Sequence, residues 1–153
     1  MLPMPKRYKL VAGSSEGLTS LNAFDGALLS AGVGNLNLLK VSSVLPPGAV
    51  FDDAVAVPPG NLVPVAYGST YSDVPGTMLA AAVAVGIPVD YSFGMIMELA
   101  GEYGKEQAEE LVRQRVTEAF AMRNKTLAYI KTASAEHEVK SLGCVFAGVL
   151  LWY

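Results

Sequence analysis

The sequence predicts an α+β layered sandwich. Three observations lead there: strand-like segments outnumber helices, the two helices fall one early and one late, and the last strand is apolar almost throughout. Strands covered on both faces read as continuous apolar runs, so these sheets need layers on either side. The 153 residues fit one domain, 1–153, with no repeat or linker to divide them. Hydrophobic residues make up 52% of the chain and charged residues 16%, whereas soluble domains average roughly 25% charged. Either both faces of a sheet are covered, or much surface is buried against further copies of the chain.

Taken in order, a short strand at Tyr8–Ala12 precedes a turn at GSSEG. Thr19 or Ser20 then caps a helix over SLNAFDGALLSAG, in which Leu21, Phe24 and Leu28 recur at helical spacing and Gly32 and Gly34 end the element. Leu36–Leu45 reads as one strand stopped by Pro46-Pro47. Further strands are expected at Leu62–Ser69, Met78–Val85 and Phe93–Ala100, although the alanines of the second fit a helical period equally well. Lys105–Arg123 is the clearest helix, with Ala108, Leu111, Val112, Ala119 and Phe120 in one apolar stripe opposite Glu106, Glu109, Glu110 and Arg113. Strands at Thr126–His137 and Leu142–Tyr153 close the chain.

A formal charge of −3 and the lack of a basic cluster argue against nucleic acid as a partner. The one cysteine, Cys144, rules out an internal disulfide framework and reads as a small core residue. The single His137 reads as a surface or hydrogen-bonded histidine, and no stretch has metal-ligand spacing, so no metal is expected. The N-terminal residues lack an apolar core of signal-peptide length, and the longest apolar run, Met78–Val89, is too short to span a bilayer. A cytoplasmic protein without a membrane partner is expected.

Four positions stand out chemically. Ser42 and Ser43 lie where the apolar run LNLLKV meets two prolines. A serine hydroxyl held against the preceding carbonyl can convert that amide to an ester. β-Elimination would then leave Ser42 as a new C-terminus and Ser43 as dehydroalanine, which hydrolyses to an N-terminal pyruvoyl group. That group is a built-in electrophile able to form a Schiff base with an amine. Ser-Ser before Pro-Pro is also a common turn. Glu98 sits in FGMIMELAG among apolar residues, where desolvation raises a carboxyl pKa and makes it a candidate general acid. It equally suits a strand end that reaches solvent or pairs with an arginine. Asn37 is a candidate oxyanion donor or a turn residue. Six residues of straight strand would hold it ~20 Å from Ser43, so a shared site needs a sharp bend or two subunits. Asp25, beside Gly26 on the first helix, is a candidate guanidinium partner or a solvated aspartate.

With these residues the chain resembles the pyruvoyl-dependent arginine decarboxylases, from Leu10 to Tyr153. The segments that carry the likeness are LVAGSSEG, LNAFDGALLSAGVGNLNLLKVSSVLPP, LVPVAYG, SDVPG, GMIMELAG and LGCVFAGVLLWY, in that order. Residues before Leu10 fall outside it, and Leu-Ala-Gly follows Glu98 where a more polar continuation is expected. The resemblance implies a proenzyme cut into a β chain, 1–42, and an α chain, 43–153, that begins with a covalent pyruvoyl group from Ser43 in place of pyridoxal phosphate. It implies a four-layer αββα sandwich in trimers, or dimers of trimers, with active sites between subunits. It further implies decarboxylation of L-arginine to agmatine and carbon dioxide, with Glu98 as proton donor, Asn37 assisting processing and catalysis, and Asp25 holding the guanidinium. A polyamine-producing role would follow. The alternatives are a pyruvoyl-dependent decarboxylase of another amino acid, or an uncleaved, non-catalytic oligomer subunit.

Overall fold

The computed structural model describes residues 1–153. Its elements run β1 (Arg7–Glu16), α1 (Ser20–Ser30), β2 (Asn37–Lys40), β3 (Val44–Leu45), β4 (Val50–Phe51), β5 (Leu62–Ser72), β6 (Met78–Pro88), β7 (Gly94–Gly101), α2 (Lys105–Met122), β8 (Leu127–Glu138) and β9 (Gly143–Trp152). The strands form two sheets, one ordered β2-β5-β9-β1-β4 and the other β3-β7-β6-β8. Two helices and two sheets make the chain α+β.

The expected turn at GSSEG is mostly strand. Ser14, Ser15 and Glu16 stay paired with Val145, Cys144 and Gly143, so β1 runs to Glu16 before the chain turns. Thr19 is the cap of α1, its Oγ1 accepting the N–H of Asn22 at 3.1 Å. Gly32, at φ +82, takes the left-handed conformation that ends the helix. The helix lies close on β1 because Gly13 has no side chain: a Cβ there would stand 2.5 Å from the Ala27 carbonyl oxygen. Ala23, Ala27 and Leu28 are buried on α1, whereas Leu21, expected in the same stripe, is exposed.

The expected strand Leu36–Leu45 is two strands in two different sheets. β2 pairs in parallel with β5, Asn37 opposite Leu62, and β3 pairs antiparallel with β7, Val44 opposite Met95. The chain therefore leaves one sheet and joins the other within the residues between Lys40 and Val44. The two-residue strand β4, parallel to the start of β1, had no sequence signal of its own.

The alanine-rich Met78–Pro88 is a strand, paired on one side with β7 and on the other with β8. Its period-2 pattern explains both its residue types. Leu79, Ala81, Val83 and Val85 join Val145, Ala147, Val149 and Leu151 of β9 in one apolar cluster, with β1 and β5 contributing Tyr8 and Ala66. Ala80, Ala82 and Ala84 point the other way and meet Ala108, Val112, Val116 and Phe120 of α2. β9 alternates likewise, sending Cys144, Phe146 and Leu150 into a third cluster with Ala23, Ala27 and Leu28 of α1. Burial on both faces accounts for the continuous apolar runs in β6 and β9. Cys144 is a buried core residue, as its neighbours predict. No helix is long and apolar enough to cross a membrane.

Candidate active site

The bond between Ser42 and Ser43 lies in the crossing from one sheet to the other. On the near side, Val41 donates its N–H to Val65 O of β5 at 3.1 Å. On the far side, the Ser43 carbonyl accepts the N–H of Ile96 in β7 at 2.7 Å. Only Ser42 separates these two anchors, so the bond is held from both sheets at once. Neither serine has a positive φ and no peptide bond is cis; tethering at both ends, not a forbidden conformation, sets the local geometry. Ser42 is exposed and Ser43 half-buried. A cavity of about 290 Å³ opens beside them, walled in part by Val41, Ser42, Val44 and Pro64.

β7 brings Glu98 to the same place. The β3–β7 ladder pairs Val44 with Met95, and continuing it by one residue sets Ser43 opposite Ile96. Residues two apart on a strand share a face, so Glu98 stands on the side of β7 that Ile96 and Ser43 occupy. That face looks toward the other sheet, where Gly68 of β5 leaves room: a Cβ at Gly68 would lie 3.5 Å from Glu98 Cβ. Glu98 Oε2 is buried and has no hydrogen-bond partner, the one side-chain oxygen or nitrogen of the chain in that condition. Burial pushes its pKa above the usual carboxylate value, while the charges of Lys40 and Arg115 oppose the rise. Glu98 is half-buried, with Oε2 sealed from solvent, and no arginine pairs with its carboxylate. A carboxyl whose charged form is disfavoured by burial in this way is suited to general-acid chemistry.

Asn37 lies apart from this pair. It is exposed at the start of β2, and its Nδ2 donates to the Gly60 carbonyl at 2.8 Å across the Pro58-Pro59-Gly60 turn. The second N–H of that amide and its oxygen make no hydrogen bond within the chain. The break between β2 and β3 removes the straight-strand separation from Ser43, yet no hydrogen bond joins the two residues. Asp25 is farther still in the layering. It is exposed on α1, which packs on the face of the first sheet away from Glu98, and it forms no ion pair. One chain thus unites Ser42, Ser43 and Glu98, and leaves Asn37 and Asp25 outside.

Residues 7–152 match the family model described as pyruvoyl-dependent arginine decarboxylase. The chain belongs to that family. A protein named pyruvoyl-dependent arginine decarboxylase from Methanocaldococcus jannaschii is 50% identical over 151 residues, covering 98% of this chain and 92% of its own. Proteins of the same name from Thermococcus kodakarensis, 43% identical over 150 residues with 97% and 96% covered, and Pyrococcus abyssi, 45% over 138 residues with 89% and 87% covered, are also similar. The family match begins at Arg7, earlier than the Leu10 at which the sequence likeness began. Leu-Ala-Gly after Glu98, apolar where polarity was expected, is the end of a strand whose Leu99 is buried against α2.

Within this decarboxylase family member, three residues beside Glu98 were not among the candidates read from the sequence. Gly68 matters through a side chain it lacks. Lys40, the one cation in LNLLKVSSV, holds its Nζ 4.7 Å from the centre of the Tyr67 ring. Arg115 reaches over from α2 and donates Nη1–H to the Glu98 backbone carbonyl at 2.8 Å. Only Lys40 was findable from sequence, as a charge interrupting an apolar run.

Proposed function

We propose that this chain cuts itself between Ser42 and Ser43 and, once processed, decarboxylates L-arginine to agmatine and carbon dioxide. The observation that carries the reading is the pairing of a doubly tethered Ser42–Ser43 bond with a buried, partnerless Glu98 oxygen on the same face of β7. Family membership supplies the reaction class.

In this reading Ser43 Oγ attacks the Ser42 carbonyl carbon and the amide becomes an ester. Elimination across Ser43 Cα–Cβ frees Ser42 as a carboxylate, the end of a β chain, 1–42. Hydrolysis then releases ammonia and leaves the α chain, 43–153, with a pyruvoyl end. The residues present suit that group, because its carbonyl on the chain side is the one Ile96 already holds. The pyruvoyl group supplies the electron-withdrawing ketone that takes up the substrate amine and accepts the electrons released with carbon dioxide. Protonated Glu98 returns a proton to the substrate α-carbon. Asn37, with an unused N–H, stabilises oxygen charge. Asp25 pairs with the substrate guanidinium.

Asp25 and Glu98 lie on opposite faces of the first sheet, which favours a site completed by a neighbouring subunit. The four-layer αββα stacking and a trimer of αβ protomers, singly or paired, belong to this proposal, as does residence in the cytoplasm. Exposed Leu18, Leu21, Leu29, Leu39 and Leu62 support burial against other copies.

Denaturing electrophoresis with intact mass measurement tests the reading. Purified protein should give two fragments, 1–42 and a 43–153 fragment lacking an amino end, and should release carbon dioxide from arginine. Ser43→Ala should give one chain and no release. An unbroken, active wild-type chain would overturn the proposal.

A further inference from the structure

β3 pairs with β7 only at Met95 and Gly94, and Ser43 extends that pairing to the N–H of Ile96. From Met97 onward this edge of β7 has no strand beside it, while the opposite edge pairs with β6 through Gly101. Backbone polar groups alternate in direction along a strand, so Glu98, two residues after Ile96, directs its carbonyl to the open edge. An unpaired edge carbonyl lets the segment fray or shift. Here it accepts Nη1–H from Arg115 at 2.8 Å. Arg115 is itself exposed, on an α2 anchored to the second sheet through Val112, Val116 and Phe120.

We propose that Arg115 is a positioning residue for the proton donor, pinning the backbone of Glu98 at the open edge of β7. The inference rests on the reading of Glu98 as the acid. Two cations act on the Glu98 carboxyl, Lys40 from β2 and Arg115 from α2. Of the other elements packed on β7, β6 and β3 carry no titratable residue. β5 offers Tyr67 and β9 offers Cys144, both directed to the α1 side; the exposed Tyr71 of β5 does not enter the balance at Glu98. On α2 the acids Glu106, Glu109, Glu110 and Glu118, with Lys105 and Arg113, add nothing to that balance. Arg115 is therefore the cation that joins a direct bond to the strand with an electrostatic pull on its carboxyl.

The test begins in the uncleaved Ser43→Ala chain, where turnover does not enter. Carbon-13 NMR follows the glutamate carboxyls against pH, with the Glu98 signal assigned by its loss in Glu98→Gln. Arg115→Met should move the Glu98 midpoint upward by about half a pH unit, the scale of one partly solvated charge. Arg115→Lys, which keeps the charge, should stay within about a third of that shift. In the cleaved enzyme, Arg115→Met should lower kcat several-fold and move the alkaline limb of the kcat profile in the same direction, with Lys restoring the limb. An unmoved midpoint in a folded Arg115→Met chain, checked by circular dichroism, overturns the inference, as does a lowered kcat with a fixed limb. If the midpoint moves but Glu98→Gln turns over normally, the coupling stands and the assignment of Glu98 as acid fails instead.

Discussion

The Ser43 carbonyl and the Ile96 N–H meet at 2.7 Å, and this one bond ties the proposed scissile position to the strand that carries Glu98. The residue to be modified and the residue to donate a proton are thereby set in register two positions apart. In the proposed reaction this bond would restrain Ser43 against Ser42 before cleavage and hold the carbonyl next to the new ketone afterward.

Glu98→Gln should still cleave but lose most turnover, by about 100-fold or more for removal of a general acid. Its stability should move the other way. Burial raises the folded-state pKa of Glu98 above its ordinary 4.5, so the folded chain binds this proton more tightly than the unfolded chain does. The resulting stability is complete below the unfolded value and declines as pH rises through the folded one. Thermal melts should show the Gln variant gaining on wild type as pH rises above the ordinary 4.5, and not below it. Full turnover in this variant would remove Glu98 from its role.

Asp25→Asn should leave self-cleavage unchanged and weaken arginine binding. Loss of a charge-assisted hydrogen bond of about 1.5–3 kcal/mol corresponds to roughly a 10- to 100-fold rise in KM. Steady-state kinetics alongside a time course of chain cleavage separates the two effects. An unchanged KM counts against the guanidinium assignment.

Gly94→Ala should slow self-cleavage. A Cβ at Gly94 would lie 2.4 Å from the Gly86 carbonyl oxygen and 3.2 Å from Leu45, so backbone must move where β3 meets β7. Overpacking of this kind costs about 1–3 kcal/mol. The shift should loosen the Ser43–Ile96 bond, and pulse-chase electrophoresis should register slower fragment formation together with a lower melting temperature. Cleavage at the wild-type rate would show that this register does not control the reaction.

Glu16 governs acid stability at the opposite end of β1. Burial raises its pKa, but hydrogen bonds from His137 Nε2 at 2.5 Å and from the Ser141, Lys140 and Leu142 amides overcome this and bring it from 4.5 to about 2. A carboxyl depressed in the folded state contributes stability above its unfolded value, and that contribution fades as pH falls from about 4.5 toward 2. The melting temperature difference between wild type and Glu16→Gln should be largest at neutral pH and nearly vanish by pH 2. A constant difference would mean that the carboxylate charge is not what holds the β8–β9 turn.

Local sequence was enough for the α+β class, both helices and most strands, because a 3.6-residue apolar period is legible in α2 and β9 is a continuous apolar run bounded by turn residues. It also exposed Ser42-Ser43 and Glu98, since hydroxyls and a carboxylate inside apolar runs carry a desolvation penalty that a neutral turn or core avoids. Only tertiary structure decided that Leu36–Leu45 divides between two sheets: β-propensity is alike on both sides of the break, and the choice depends on which distant strand, β5 or β7, offers the free edge. The partners of Glu98 were equally hidden. Gly68 lies 30 residues away on another sheet, and Arg115 looks like any other charge on a solvated helix until the unpaired edge of β7 gives it a carbonyl to hold. Sequence states which groups must be satisfied; the folded chain alone determines which neighbour satisfies them.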